Sequence, residues 1–340
     1  MINPLLLKIL NVQSETYDCG RMMDFVLNEL FELGCWIDYD KAGNIYAVKG
    51  DADHYPCIVA HLDTVHKIVP DNEYVVISDD EYAFAYNPVK HKMTGVGGDD
   101  KVGIYIALQM IRELDACKVA FFVDEEVGCL GSAEADMTFF QDVRFVLQCD
   151  RKGNDDFVYN IMGMSLYTDR FSNDILPIIS AYGYSENTGG LTDVYQLAEN
   201  GIGVCVANMS CGYYNPHSDN EMISLTDVEN CRRMVYEIMS TLTDVYECHH
   251  DTYRKTGWWQ DGGNGIAWGS NSVKDELSSF DIYDTDIPDW SDWDYSNGKW
   301  TLSEGKWKAC WDCYEVFKST EISSDGLCEK CAAYHNPKII

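Results

Sequence analysis

Three near-continuous apolar runs, residues 57–60, 119–123 and 145–149, read as strands buried on both faces, the pattern of a parallel sheet with helices on each side. A fourth strand is expected over 202–206. Between these runs the period changes from two to about 3.6. Met22, Phe25, Val26, Leu30 and Leu33 share one helical face that stops at Gly34, and Ile104, Ala107, Leu108, Ile111 and Leu114 share another. Val228, Cys231, Val235, Ile238 and Leu242 form a third, opened by a capping box at Thr226-Asp227-Val228-Glu229. Asn3-Pro4 caps a short first helix to residue 9, and Lys41-Ala42-Gly43-Asn44 joins strands 36–39 and 45–49 into a hairpin. Gly131-Ser132 and Thr192-Asp193 open further short helices, and 178–182 reads as a strand among the turn signals Gly183, Asn187 and Gly189-Gly190. The order predicts an α/β fold: a three-layer sandwich with a mostly parallel mixed sheet and helices on both faces, ending near Tyr246.

Composition narrows the class. The 340 residues have room for one large α/β domain and something small. A net charge of −31 repels phosphate backbones and anionic lipid, so nucleic acid is an improbable main partner. No run of 18 apolar residues predicts a membrane span, and the amino terminus lacks the pattern of a signal peptide. Ten of the fourteen cysteines are scattered through expected strands and helices, as small buried apolar residues. That usage suits a reducing cytoplasm better than a disulfide framework.

The chemistry sits where the apolar runs end. Residues 119–123 run into Asp124-Glu125-Glu126, 57–60 into His61-Leu62-Asp63, and 145–149 into Asp150. Adjacent acids at the mouth of a core strand are costly to desolvate without cations or donors. His61 and Asp63 point the same way along an extended chain, the arrangement in which a carboxylate orients a metal-binding imidazole. Taken alone, a satisfied histidine at a strand end is the simpler account. Asp99 and Asp100, at the start of a helix after Gly95-Val96-Gly97-Gly98, are likewise explained by the helix dipole alone. Three strand ends carrying such groups are another matter, because ligands collect at the carboxyl ends of strands in open α/β sheets. Tyr213, Tyr214, Asn215, Thr192 and Asp193 fall near the same place, with packing the simpler role for each. His54, His66, His91, His249 and His250 show no partner pattern and are expected at the surface.

His61-Leu62-Asp63-Thr64-Val65, Gly98-Asp99-Asp100-Lys101, Asp124-Glu125-Glu126-Val127-Gly128, Asp150 and Gly212-Tyr213-Tyr214-Asn215-Pro216-His217 together resemble the dinuclear zinc peptidase clan of peptidase T, carboxypeptidase G and the single-domain aminopeptidases. The resemblance covers roughly residues 1–245. It implies two divalent ions, zinc first and manganese or cobalt next: His61 and Asp150 on one, Glu126 and His217 on the other, Asp99 bridging. It also implies Asp63 as the carboxylate behind His61 and Glu125 as general base. A two-oxygen carboxylate is what a pair of ions about 3.5–4 Å apart needs, and oxygen and nitrogen donors without thiolate suit zinc. Two-domain members of the clan insert a lid between the counterparts of Asp150 and His217. Here that interval is only 66 residues, so a lidless form is expected.

Beyond residue 250 the sequence changes character. Residues 251–300 read as an acidic, aromatic linker, with Trp258, Trp259, Trp268, Trp290, Trp293 and Trp300 among aspartates. Residues 301–340 carry Cys310, Cys313, Cys328 and Cys331, two C-x-x-C pairs 14 residues apart, the spacing of a structural zinc ribbon. The expected organisation is therefore a catalytic domain over 1–250, the linker, and the ribbon, with the tail available to a protein partner. The expected function is a metal-dependent hydrolase cleaving short peptides, of aminopeptidase or tripeptidase type. The alternatives are an amidase or deacylase on N-acyl amino acids by the same mechanism, and a non-catalytic binding protein on this fold.

Overall fold

The computed structural model describes residues 2–250 and, further on, the backbone of four short strands. The chain divides into two units, Met1–Gly257 and Trp258–Ile340. In the first, α1 (Pro4–Leu10) and α2 (Gly20–Glu32) precede the hairpin β1 (Trp36–Tyr39) and β2 (Ile45–Lys49). Asn3 caps α1 by accepting from the Leu5 N–H. Then come β3 (Tyr55–His61), three strands β4 (Val75–Ser78), β5 (Tyr82–Asn87) and β6 (Lys92–Thr94), and the helix α3 (Gly98–Glu113). β7 (Cys117–Phe122), the single turn α4 (Leu130–Ala133), β8 (Val143–Gln148), β9 (Asp156–Ile161) and β10 (Met164–Ser165) follow. The unit closes with α5 (Asp169–Ala181), β11 (Ser185–Gly189), α6 (Asp193–Glu199), β12 (Val206–Met209), β13 (Tyr213–Tyr214), β14 (Met222–Ser224) and α7 (Leu225–Thr241).

Nine strands form the main sheet in the order β1-β2-β7-β3-β8-β12-β9-β10, with β11 also on β9. The parallel register is confined to the centre, β7-β3-β8-β12, and to β11 on β9; the β1-β2-β7 and β12-β9-β10 flanks are antiparallel. The sheet is thus evenly mixed rather than mostly parallel. Every residue of β3 and β7 is buried, which requires cover on both faces. α3 packs on β3 and β7 with α1 and α7 beside it, while α6 packs on β3 and β8 with α4 beside it.

A second, five-stranded sheet, β13-β14-β5-β4 with β6 on β5, was not expected. Its β4–β5 turn is made by Asp79, whose carboxylate accepts from the N–H groups of Glu81 and Tyr82. Three local expectations are corrected. Residues 178–182 are not a strand; they end α5, whose buried Phe171, Ile175 and Ile179 repeat every fourth residue behind a Thr168 cap. α7 is capped by Ser224, which accepts from the Asp227 N–H, and not by Thr226. The strand expected over 202–206 begins only at Val206.

In the second unit Trp293–Ser296 pairs with Lys299–Leu302, and Trp307–Ala309 with Val316–Lys318, both antiparallel. Cys310, Cys313, Cys328 and Cys331, and most of the 251–300 stretch, lie outside the described residues. Among the described residues no helix is long and apolar enough to cross a membrane.

Candidate metal centre

The parallel strands deliver their polar ends to one place. β3 ends in His61, fully buried, whose backbone N–H donates to the Asp100 carboxylate. After β7 the chain turns at Asp124, which adopts a left-handed φ of 54° that aspartate tolerates better than most residues. The short turn Glu125–Val127 follows. Asp150 lies two residues past β8 and is locked by Asn208, which accepts from the Asp150 N–H and donates to its carbonyl, both within 3.0 Å. Its carboxylate accepts from Thr192 Oγ1 at 2.8 Å and from the Tyr213 hydroxyl at 3.3 Å. His217 arrives on the loop after β13 with φ 60°, a strained conformation of the kind found where geometry is set by a site.

Asp99 stands at the start of α3, and its peptide bond to Asp100 is cis. Backbones approach closely here: a Cβ on Gly98 would come within 2.8 Å of Tyr213 Cβ, and one on Gly97 within 2.9 Å of Thr64 Cγ2. Asp99 faces both ways. Its Oδ1 is 3.2 Å from His61 Nε2 and its Oδ2 is 3.3 Å from His217 Nε2. His61 Nε2 is 3.7 Å from Asp150 Oδ1 and 3.9 Å from Glu125 Oε2; His217 Nε2 is 3.0 Å from Glu126 Oε2. Thus His61, Asp99, Glu125, Glu126, Asp150 and His217, distant in sequence, meet in one cluster.

Asp63 stands beside His61 and also holds the neighbouring turn. His61 Nδ1 lies 3.0 Å from the Asp63 carbonyl oxygen and 3.5 Å from its carboxylate. The carboxylate accepts mainly from the Glu125 N–H at 3.0 Å and Thr16 Oγ1 at 2.9 Å. It therefore fixes the turn that carries Glu125 and Glu126 as well as standing beside the imidazole.

The electrostatics follow from crowding acids in a dry pocket. Burial, and then the charge of Asp99, pushes Asp150 up to about 7, and burial pushes Asp193 up to about 6. Burial foremost raises Glu125 well above the usual carboxylate range, with Asp150, Asp193 and Asp99 adding to it against the pull of His61. Hydrogen bonds to Asp99 and Glu126 raise His217 to about 11. Burial disfavours a charged His61, but Asp150, Asp63 and Asp99 outweigh it and raise that group well above its ordinary value. Such a cluster needs protons or cations to offset its charge.

The donors fit a pair of divalent cations. Two ligand atoms about 2.0–2.2 Å from one tetrahedral ion stand roughly 3.3–3.6 Å apart, close to the separations from His61 and His217 to their carboxylates. His61, Asp99 and Glu126, and His61, Asp100 and Asp150, each offer donor atoms within 4.8 Å of one another. Glu126 Oε1 is buried with no hydrogen-bond partner among the described residues, a cost that a cation would remove.

Sequence reasoning missed several neighbours. Glu221, fully buried, accepts from the N–H groups of Gly97 and Asp99 and so holds the segment leading to Asp99. Its partner is His66, at 2.8 Å, which is half-buried and not the surface residue expected. His250 is likewise engaged, Nε2 lying 2.9 Å from the Val204 carbonyl. Of the five nearby candidates, Thr192 and Tyr213 touch Asp150, and Asp193 accepts from Gln148. Tyr214 and Asn215 turn away, to Asp227 and to the Asn220 carbonyl. A separation of 155 positions between His66 and Glu221 leaves no local signal to find that pair.

No protein-family model matches the chain, and no curated protein matches it. Solved structures do. The aminopeptidase PepT of Bacillus cereus superposes with a TM-score of 0.57 at 15% identity, over 69% of this chain and 96% of that one. A tripeptidase of Staphylococcus aureus gives 0.55 at 14% identity, over 69% and 96%. A TET aminopeptidase from a marine sediment archaeon, Thaumarchaeota archaeon SCGC AB-539-E09, gives 0.57 at 14%, over 71% and 96%. At such identities the likeness establishes the fold alone.

Proposed function

We propose that the chain is a metal-dependent hydrolase that cleaves amide bonds of short peptides, of aminopeptidase or tripeptidase type. One observation carries this reading: the two oxygens of Asp99 face two different histidines, each with further carboxylates beside it. His61 and Asp150 would hold one ion, Glu126 and His217 the other, and Asp99 both. Two ions there, zinc by preference and manganese or cobalt as substitutes, would supply Lewis acidity and lower the pKa of water toward neutrality. Glu125, largely shielded from solvent and raised in pKa, is suited to take the proton of the attacking water and return it to the leaving amine. Asp63 positions Glu125 through its backbone N–H. The similarity in fold to an aminopeptidase and a tripeptidase supports the same substrate class.

The rest of the organisation belongs to this proposal. The catalytic domain spans 1–250 in a lidless form, and the 251–300 stretch links it to a ribbon in which Cys310, Cys313, Cys328 and Cys331 hold a structural zinc, available to a protein partner. A cytoplasmic setting agrees with the scatter of ten cysteines through the described residues, nine of them buried. The experiment is turnover by the metal-reconstituted chain on dipeptides, tripeptides and N-acyl amino acids. Release of amino acids from the peptides is expected. Cleavage of the N-acyl amino acids alone would make the chain a deacylase, and no cleavage with two ions bound would make it a binding protein.

A further inference from the structure

We propose that a cavity beside the metal centre is a carboxylate-binding subsite, which receives the free carboxylate of a short peptide. The word peptide rests on the amide-hydrolase reading above; the carboxylate rests on the cavity itself. The cavity measures about 310 Å³, at the small end of the range for ligand pockets. Thr64 and His66 on its wall lie one and three residues after Asp63, Gly95 precedes Asp99 by four residues, and Asp219 stands between His217 and Glu221. The segments that bring His61, Asp99 and His217 into the cluster therefore also wall the cavity.

Its lining is richer in cations than the chain as a whole. In a chain of net charge −31, Lys67, Lys90, Lys92 and Lys101 line this cavity against one acid, Asp219. A short peptide is itself dipolar. With its amine towards the carboxylates of the metal centre and its carboxylate towards the lysines, both ends meet the opposite sign. The present partners of the outer lysines are Glu15 for Lys67, Glu73 for Lys90 and Asp219 for Lys92, and all three lysines are exposed. Exposed ion pairs exchange partners at little cost.

Two further features make this a built cavity. Ser14 lines it, is 1% exposed, and its Oγ has no hydrogen-bond partner among the described residues; a carboxylate oxygen would satisfy that donor. The His66 ring lies so close to Gly95 that a Cβ there would fall 1.9 Å from it, and Glu221 holds its Nε2. That part of the wall is therefore set by a glycine and a buried carboxylate.

The test uses the metal-reconstituted full chain as wild type, as Lys67→Glu/Lys92→Glu, and as the milder Lys67→Gln/Lys92→Gln. Glutarate and its diamide, which contain no peptide, are titrated by calorimetry. The expected result is glutarate binding at least tenfold tighter than the diamide to the wild type, with that preference lost in both variants. Trialanine should then show a KM raised at least tenfold by the substitutions, while the KM of trialanine amide stays put. If an acidic side chain can occupy the subsite as well as a chain terminus, Ala-Ala-Glu amide recovers what trialanine amide lacks. Equal glutarate affinity in wild type and variants overturns the subsite even if peptides are hydrolysed. A glutarate preference that depends on the lysines, without hydrolysis of any peptide, leaves the subsite standing and removes the peptidase reading.

Discussion

The carboxylate of Asp63 and the backbone N–H of Glu125, 62 residues apart, are joined by a hydrogen bond of 3.0 Å. Through it the end of one parallel strand sets the turn that follows its neighbour. Asp63 Oδ2 also accepts from Thr16 Oγ1 and, more weakly, from the Glu126 N–H. Asparagine at this position offers one acceptor oxygen in place of two. Asp63→Asn should therefore fold normally and lose about 10–100-fold in metal affinity or turnover, as loss of an orienting partner does. Metal titration and steady-state kinetics read both; wild-type values for the two would deny Asp63 an orienting role.

Glu125 belongs to a different category, because it lies beside the donors without bridging them. Glu125→Gln keeps its shape and removes its basicity. Metal content should stay near normal while turnover drops by roughly 10²–10⁴, the usual contribution of a general base. Loss of both metal and activity would instead place Glu125 among the ligands.

The cluster also governs how the metal-free chain responds to pH. Asp150 at about 7 and Asp193 at about 6 are both raised from an ordinary 3.8. Between about pH 4 and 7 the folded chain therefore binds more protons than the unfolded chain, so stability falls as pH rises across that window. His217, raised from 6.5 to about 11, extends the same trend upward. Thermal unfolding of the chelated protein should show a midpoint that declines from about pH 4.5 to 7.5. Saturating zinc should flatten the decline, since cations replace the protons, and Asp193→Asn should weaken it. A midpoint that rises over this range would contradict the sign.

Much of this architecture was legible because burial on two faces leaves a mark on sequence. β3, β7 and β8 are apolar throughout their centres, and their polar ends were readable as ends. The β1–β2 hairpin, the Asn3 cap and the start of α3 were equally clear, since each is fixed by nearby residues. The end of α5 reads as extended because Pro177 interrupts the helical pattern and Ile178-Ile179 is β-branched, although Phe171, Ile175 and Ile179 carry the helical period. The β4–β5 hairpin was hard to read because β5 alternates large and small residues, Tyr82-Ala83-Phe84-Ala85-Tyr86, so its alternating burial has no polar and apolar counterpart in the sequence. The supports of Asp99 were not legible at all. Glu221 reaches its backbone N–H and His66 reaches Glu221, both by side-chain bonds across the chain, and no local periodicity records them.

The central claim is that Asp99 spans two cations, and anomalous diffraction from crystals of the metal-reconstituted chain tests it most directly. Two peaks are expected about 3.5–4 Å apart, one beside His61 and Asp150 and one beside Glu126 and His217, with the Asp99 carboxylate between them. A single peak, or none among these five side chains, would contradict the account.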